Sequence, residues 1–446
     1  MWLLIFASFI PLFLYHWPVN FAYDASYQVF AYMTDTISSH HPILHTLLLG
    51  WAYNIGFENG DVNKGIQIYT IIQMLILSGA FAFFMKYLKD KNVIRPIRVI
   101  ILLMFVLNPV NAYFAISTVK GVLCAAFIIL ATVFLMKTMD KGISIPNMIM
   151  FVISAILACM FRNNMSYAIA AAGIIIALFR KNWKEKIIYF SLIVMIFTGY
   201  KIFNSTLIRS TNATDIGALR ESMSVPLNCL ARTALNHKDD MPQDLYNEII
   251  MIISETTLPQ YSLVLADPIK NAANEGYIGA HKLDFINLFI KVGLRYPGEY
   301  IEAIGGLTLG YWYCLDEPYF LTGTTKLYSM PMMGEYPGIT NENLLPFGSE
   351  LFDYMNGEED GRLQMPIFGW AWRQTVYVWG FLFAFGYAIY KKDIRKLTLL
   401  MIPFMYLCTC FLGPISWLRY IYINVAAFPI MIYLLMEPGE TIKSVP

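Results

Sequence analysis

Four short segments of this 446-residue chain carry side chains that could do chemistry. The first runs Tyr23-Asp24-Ala25-Ser26-Tyr27-Gln28 and leads to His40-His41-Pro42. A carboxylate at Asp24 can act as general base on a hydroxyl, or help hold a divalent cation. It is equally suited to cap the helix that the following residues predict. His40 and His41 are either solvated loop residues or donors to a phosphate or sugar. The second segment, Ser117-Thr118-Val119-Lys120-Gly121, sets a lysine at the head of an apolar run. Its ammonium either snorkels to the interface or turns inward to meet a phosphate. The third, Phe161-Arg162-Asn163-Asn164, joins a guanidinium to two amides. That set can satisfy helix-end carbonyls, or grip phosphate oxygens while the amides take sugar hydroxyls. The fourth, Trp417-Leu418-Arg419-Tyr420, brings one further arginine.

The elements that must position these groups are membrane helices. Hydrophobic residues make up 57% of the chain and charged residues 14%, against about 25% charged in soluble domains. Mean hydropathy is +0.52. Apolar runs predict about ten spans, near 2–17, 65–87, 97–115, 119–137, 146–161, 165–180, 187–203, 369–390, 397–413 and 417–436. The first run has neither a basic leader nor a small-residue cleavage site, so it is expected to be a retained span. Cations crowd into alternate short loops: Lys86, Lys89, Lys91, Arg95 and Arg98; Lys137 and Lys141; Arg180, Lys181, Lys184 and Lys186; Lys391, Lys392, Arg395 and Lys396. The positive-inside rule puts these loops and both termini in the cytoplasm. All four reactive segments then fall on the extracytoplasmic side, where Lys120, Arg162 and Arg419 stand against the usual charge bias.

The expected organisation is an all-α, multi-pass protein of the cell membrane in three parts. Residues 1–203 form an N-terminal membrane module with a large first outer loop at 18–64. Residues 204–368 form a mainly helical extracytoplasmic region, and 369–446 a C-terminal membrane module. The piece 303–314 is too short to span and is expected to be interfacial or buried in the outer region. Cys229 and Cys314 could pair if that region faces an oxidising space. A net charge of +1 gives no field for nucleic acid. No phosphate loop, CxxC or metal-spaced His/Cys cluster is present in the sequence.

Taken together, the Asp after the first span, the His-His-Pro segment, the Thr-Val-Lys start of a later span, Arg-Asn-Asn and the late Arg-Tyr pair resemble the GT-C class of membrane glycosyltransferases. More closely, the chain is similar to a poorly characterised family of Gram-positive membrane proteins predicted to belong to that class. Glu221-Ser222-Met223-Ser224-Val225-Pro226, Asp267-Pro268-Ile269-Lys270 and Gly310-Tyr311-Trp312 share in that similarity. The resemblance covers nearly the whole chain through short motifs. It implies a GT-C-like bundle that moves a sugar from a polyprenyl-phosphate donor to an envelope glycan or glycopolymer. Asp24 would be the catalytic carboxylate. His40, His41, Lys120, Arg162, Asn163, Asn164, Arg419 and Tyr420 would bind substrate, with a divalent cation the only cofactor in question. The family tends to carry an acid directly after the lysine, and this chain has Gly121 there. That departure weakens a two-carboxylate metal site. Two other function classes stay open: a transporter or flippase for a lipid-linked glycan, and a non-catalytic envelope assembly protein. A transporter would want ionisable groups near the membrane midplane, whereas here they gather at one rim.

Overall fold

The structure, a computed structural model, describes residues 1–142, 144–214, 218–314, 329–352, 362, 365 and 367–437. Part of the stretch 204–368 therefore lies outside the described residues. Among the described residues there is no β-strand, only isolated bridges. The chain begins with α1 (Trp2–Tyr15), α2 (Tyr23–Met33), α3 (Ile43–Glu58), α4 (Val62–Asp90), α5 (Arg95–Val106), α6 (Pro109–Ala115), α7 (Gly121–Lys141), α8 (Ile145–Phe161), α9 (Asn163–Phe179) and α10 (Trp183–Ser210). Then come α11 (Ala218–Ser222), α12 (Ser224–Asn236), α13 (Gln243–Ile252), α14 (Asp267–Ala272), α15 (Glu275–Ala280), α16 (Lys282–Arg295), α17 (Pro297–Leu307) and α18 (Leu309–Trp312). The last three are α19 (Gln374–Tyr390), α20 (Ile394–Cys410) and α21 (Tyr422–Met436).

Among the described residues three helices are long and apolar enough to cross a membrane by themselves: α4, α7 and α10. A fourth span results if α5 and α6, bent by 49°, are one broken crossing. The break has a local cause. Asn108 accepts from the Val110 N–H at 3.0 Å and so restarts the helix, while Pro109 has no N–H to continue the preceding one. Helices α1, α8, α9 and α21 are apolar but shorter. Fourteen residues in α1 reach about 21 Å, short of a core roughly 30 Å thick. The chain is thus all-helical with three or four candidate spans by length, where the sequence predicts about ten.

Contacts divide the chain into two units. The first comprises Met1–Thr214, Thr324–Leu407 and Leu418–Pro446. Residues of the stretch 204–368 are shared between the two units. Helix α10 runs through 203 without a break. Residues 329–345 are stitched to the first loop by amide hydrogen bonds. Asn341 Nδ2 donates to the Val19 carbonyl at 2.6 Å, Asn63 Nδ2 to the Thr340 carbonyl at 2.8 Å, and the Tyr53 hydroxyl to the Pro337 carbonyl at 2.6 Å.

One end of the first unit is closed by a charged network. Asp140, 7% exposed, receives Arg395 Nη2 at 2.9 Å, Lys91 Nζ at 3.1 Å and the Tyr87 hydroxyl at 2.7 Å. Arg395 also meets Glu437, whose other oxygen accepts from the Tyr433 hydroxyl at 2.9 Å. The network ties the ends of α4, α7, α20 and α21. It lies among the cation-rich loops.

The second unit comprises Asp215–Gly323 and Cys408–Trp417. Leu227, Leu230, Ile249, Ile269, Phe285 and Leu288 make its main core. The ambiguous piece 303–314 belongs here: Ala303 and Leu307 are buried against Val225, Cys229 and Ala266. Lys270 is 4% exposed and sits 2.9 Å from Glu221 and 2.8 Å from Asp267. Burial alone would pull its ammonium down, but Asp267 and Glu221 together hold it above a lysine's ordinary value. Cys229 is buried, Cys314 exposed, and both are free thiols rather than a pair.

Asp140→Ala removes the one carboxylate that Arg395, Lys91 and Tyr87 share. Breaking such a buried pair costs about 3–5 kcal/mol, so the thermal midpoint in detergent is expected to fall clearly. An unchanged midpoint would show that the network contributes nothing net.

Candidate functional site

At the opposite end of α7 from Asp140, residues far apart in the chain meet. Asp24, Lys120, Arg162, Arg419 and Tyr420 line one cleft with Ala22, Thr118 and Val119. Lys120 Nζ lies 3.1 Å from Asp24 Oδ2, with the two side chains 24% and 30% exposed. The same ammonium donates to His41 Nδ1 at 3.0 Å. Lys120 therefore turns inward rather than snorkelling. Asp24 is not the cap of α2. Ala22 holds that place, with its N–H on Thr118 Oγ1 at 2.7 Å, and the Asp24 carboxylate is left to face Lys120.

Arg162 sits between α8 and α9, where its backbone N–H caps α8 through the Ala158 and Cys159 carbonyls. Its side chain does something else. Nε donates to Asn164 Oδ1 at 3.2 Å, and the guanidinium stands 5.4 Å from the Tyr420 ring and 5.6 Å from the Tyr406 ring. Arg419 donates to the Tyr420 hydroxyl at 3.4 Å. A Cβ on Gly121 would come within 3.2 Å of Arg162 Nη1 and 3.5 Å of the Arg419 carbonyl. Position 121 thus faces the arginines. The remaining expected residues stand further back: the His40 ring packs 4.4 Å from that of His41, and Asn163 Nδ2 donates to the Ser39 carbonyl at 3.3 Å. Asn164 orients Arg162 and does not line the cleft.

The cleft spans about 290 Å³ counting its open mouth. It is narrow, with only about 20 Å³ clear for the centre of a water, roughly one molecule's worth. A larger ligand has to spread these side chains. Four helices start beside it. α2 starts at Tyr23, α7 at Gly121, α9 at Asn163 and α21 at Tyr422. Each N-terminus adds a partial positive charge of roughly half a unit. Among the described residues the lining therefore holds three cations and one carboxylate, with four helix starts within two residues of it in the chain.

Titration follows from that imbalance. Burial would raise the Asp24 carboxyl, but Lys120 and Arg419 overturn it and hold the acid well below the usual carboxylate range. Burial also lowers Lys120, with Arg162 and Arg419 adding to the effect against Asp24. Burial and the neighbouring Lys120 push His41 down to about 2, so its ring is neutral and free to accept.

Behind the cleft runs a buried hydrogen-bond chain that the sequence did not reveal. His45 Nδ1 meets Gln28 Oε1 at 2.7 Å and His45 Nε2 meets the Tyr69 hydroxyl at 2.9 Å. The Tyr69 hydroxyl lies 2.8 Å from Gln73 Oε1, and Gln73 Nε2 donates to the Ala115 and Ser117 carbonyls at 3.0 and 2.8 Å. The chain fixes α2, which carries Asp24, to the turn that carries Lys120. A lone glutamine within an apolar run was the available signal. His45 is fully buried, and burial pushes it down to about 3.

Among the described residues no group of three or more His, Cys, Asp or Glu is arranged to hold a metal ion. Residues 23–441 match the model of a family described as a family of unknown function, DUF6020. No curated protein and no solved structure matches the chain.

The two lowered histidines set a pH dependence. Each is protonated near 6.5 when unfolded and neutral in the fold, so stability is present in full above about 6.5 and lost as pH falls below it. For His45 alone, the loss at pH 5 is about 2 kcal/mol. The thermal midpoint is expected to drop from pH 7 to pH 5 in wild type, and to drop less in His45→Gln. Equal slopes would remove His45 from the linkage.

Proposed function

We propose, for a chain that belongs to the DUF6020 family of unknown function, that the Asp24 cleft transfers a sugar from a polyprenyl-phosphate donor to an acceptor hydroxyl on the extracytoplasmic face. The fold in this reading is a GT-C-like bundle whose shorter apolar helices also cross the membrane. One observation carries it: Lys120, Arg162 and Arg419 converge on a single carboxylate where four helices begin. Cations are unfavourable at helix N-termini. Three of them there, against one acid, make a site that calls for an anion.

A lipid-linked phosphate suits that demand. Its tail stays in hydrocarbon and its phosphate reaches the rim. The acceptor oxygen attacks the anomeric carbon as Asp24 takes its proton, and the bond from that carbon to the phosphate oxygen breaks. Lys120, Arg162 and Arg419 stabilise the charge that develops on the leaving polyprenyl phosphate. The resting Asp24 is a weak base because Lys120 and Arg419 hold it ionised. A bound phosphate draws those cations to itself, which raises the basicity of Asp24 when the donor is in place. The segregation of Lys and Arg to the other ends of the helices supports an outer location for the cleft.

The test is transfer of a labelled sugar from a polyprenyl-phosphate donor by the purified protein. Asp24→Asn is expected to abolish turnover with the fold intact. Arg162→Ala and Arg419→Ala are expected to weaken donor binding by roughly 10-fold or more, the loss of one charge-assisted contact. Full turnover by Asp24→Asn would remove the acid from the mechanism. Donor binding without turnover by wild type would favour the non-catalytic alternative.

A further inference from the structure

We infer that the crevice between α7, α8 and α10, at the cation-rich end of the first unit, binds one anionic phospholipid with its headgroup on Arg180. The inference rests on α7 to α10 being membrane helices and not on the transferase proposal.

The crevice is a cavity of about 280 Å³ walled by Leu135, Thr138, Met148, Phe151 and Leu192, with Arg180 and Glu185 among the residues that bound it. That is near the lower limit of small-molecule sites, roughly 300 Å³. It does not end there. A second, much narrower apolar space shares Leu135, Phe151, Tyr189 and Leu192 and is lined further on by Gly173, Ile193 and Ile196, with only about 30 Å³ clear, roughly one water's worth. From Glu185 to Ile196 the path follows α10 for about 16 Å. An acyl chain seated in the crevice has to part the Ile193 side chain to extend along this apolar path, while the cation at the mouth suits a charged headgroup. A free anion has no use for the channel, and a plain hydrocarbon has none for the arginine.

Arg180 is poorly supplied with negative charge. Its side chain is 13% exposed. Nη2 donates to the Tyr189 hydroxyl at 3.1 Å and to Thr398 Oγ1 at 2.6 Å, both neutral acceptors. Glu185, 47% exposed, stays 3.7 Å from Nη1. Nε is buried with no hydrogen-bond partner among the described residues. Lys181, Lys184 and Lys186 surround the mouth in sequence, against Glu185 as the one acid in that stretch. Basic pockets between membrane helices on the side that carries the cations are suited to anionic headgroups. The outer surface of α10 is itself lipid-like in its needs, since Ile187, Phe190, Val194 and Met195 are all largely exposed.

The experiment is native mass spectrometry of the full chain in mixed micelles of phosphatidylglycerol and phosphatidylcholine in equal amounts. Wild type is expected to retain one phosphatidylglycerol with roughly tenfold preference, as one charge-assisted contact provides. Arg180→Gln is expected to bring the two lipids to parity. Glu185→Gln, which removes the competing acid, is expected to raise the preference, and it tests the site even if the arginine variant fails to fold. Parity in wild type, an unchanged preference in Arg180→Gln, or a lower one in Glu185→Gln would overturn the inference. So would complete displacement of the lipid by inorganic phosphate, which would show a headgroup site with no role for the channel. Loss of sugar transfer with this preference intact would sink only the transferase proposal.

Discussion

Excess positive charge at one end of the helices governs the candidate site. The cleft-lining side chains carry three cations and one carboxylate, a formal +2. The shifts there share a common cause. Asp24 stays ionised, and both Lys120 and His41 lose affinity for protons. Gathering several cations in a part-buried cleft is expensive, and nearby helix N-termini add to the positive side. An arrangement of that kind persists only if the surrounding structure holds the cations in place. It also relaxes when an anion enters.

That holding structure is neutral and dry. Gln73 spends both amide hydrogens on the backbone of the turn before Lys120, and Tyr69 and His45 carry the constraint across to Gln28 in α2. Buried polar groups linked in this way are stiff, since breaking one bond leaves its partner unsatisfied in low dielectric. At the far end of α7, Asp140 gathers Tyr87 and Lys91 from the end of α4 and Arg395 from α20. Twenty residues separate Lys120 from Asp140, which is about 30 Å of helix, close to the thickness of a hydrocarbon core. One helix therefore carries both polar ends, and the distance between them is fixed by its backbone.

The sequence disclosed which end of its helix each charged residue occupies, because apolar run length and loop charge decide that locally. It did not disclose azimuth, so that Asp24 faces Lys120 at bonding distance while Asn163 turns to Ser39 could be learned only from the fold. Gln28, Tyr69 and Gln73 stayed hidden for a related reason: a single amide or hydroxyl in an apolar stretch does not announce its partner. Apolar run length placed the ends of α1, α8 and α9 within two residues of Tyr15, Phe161 and Phe179, whereas helix length among the described residues qualifies three or four candidate spans out of the ten expected. The stitching of Asn341 and Thr340 to the first loop depends on contacts about 280 to 320 residues apart, beyond any local pattern.

Gly121 sharpens the physical meaning of the cleft. Its missing Cβ would point at Arg162 Nη1, 3.2 Å away, so an acid at this position would pair with that guanidinium first. The cleft would drop from a formal +2 to +1, and Arg162 would be less available to a phosphate. With glycine, the arginine keeps its reach and the site keeps its demand for negative charge. Glycine at this position thus keeps the charge balance positive and leaves Asp24 as the only acid among the described lining side chains. A carboxylate alone among cations is a poor base until an anion shares them. In the proposed mechanism, the binding of a phosphate and the activation of the base are one electrostatic event.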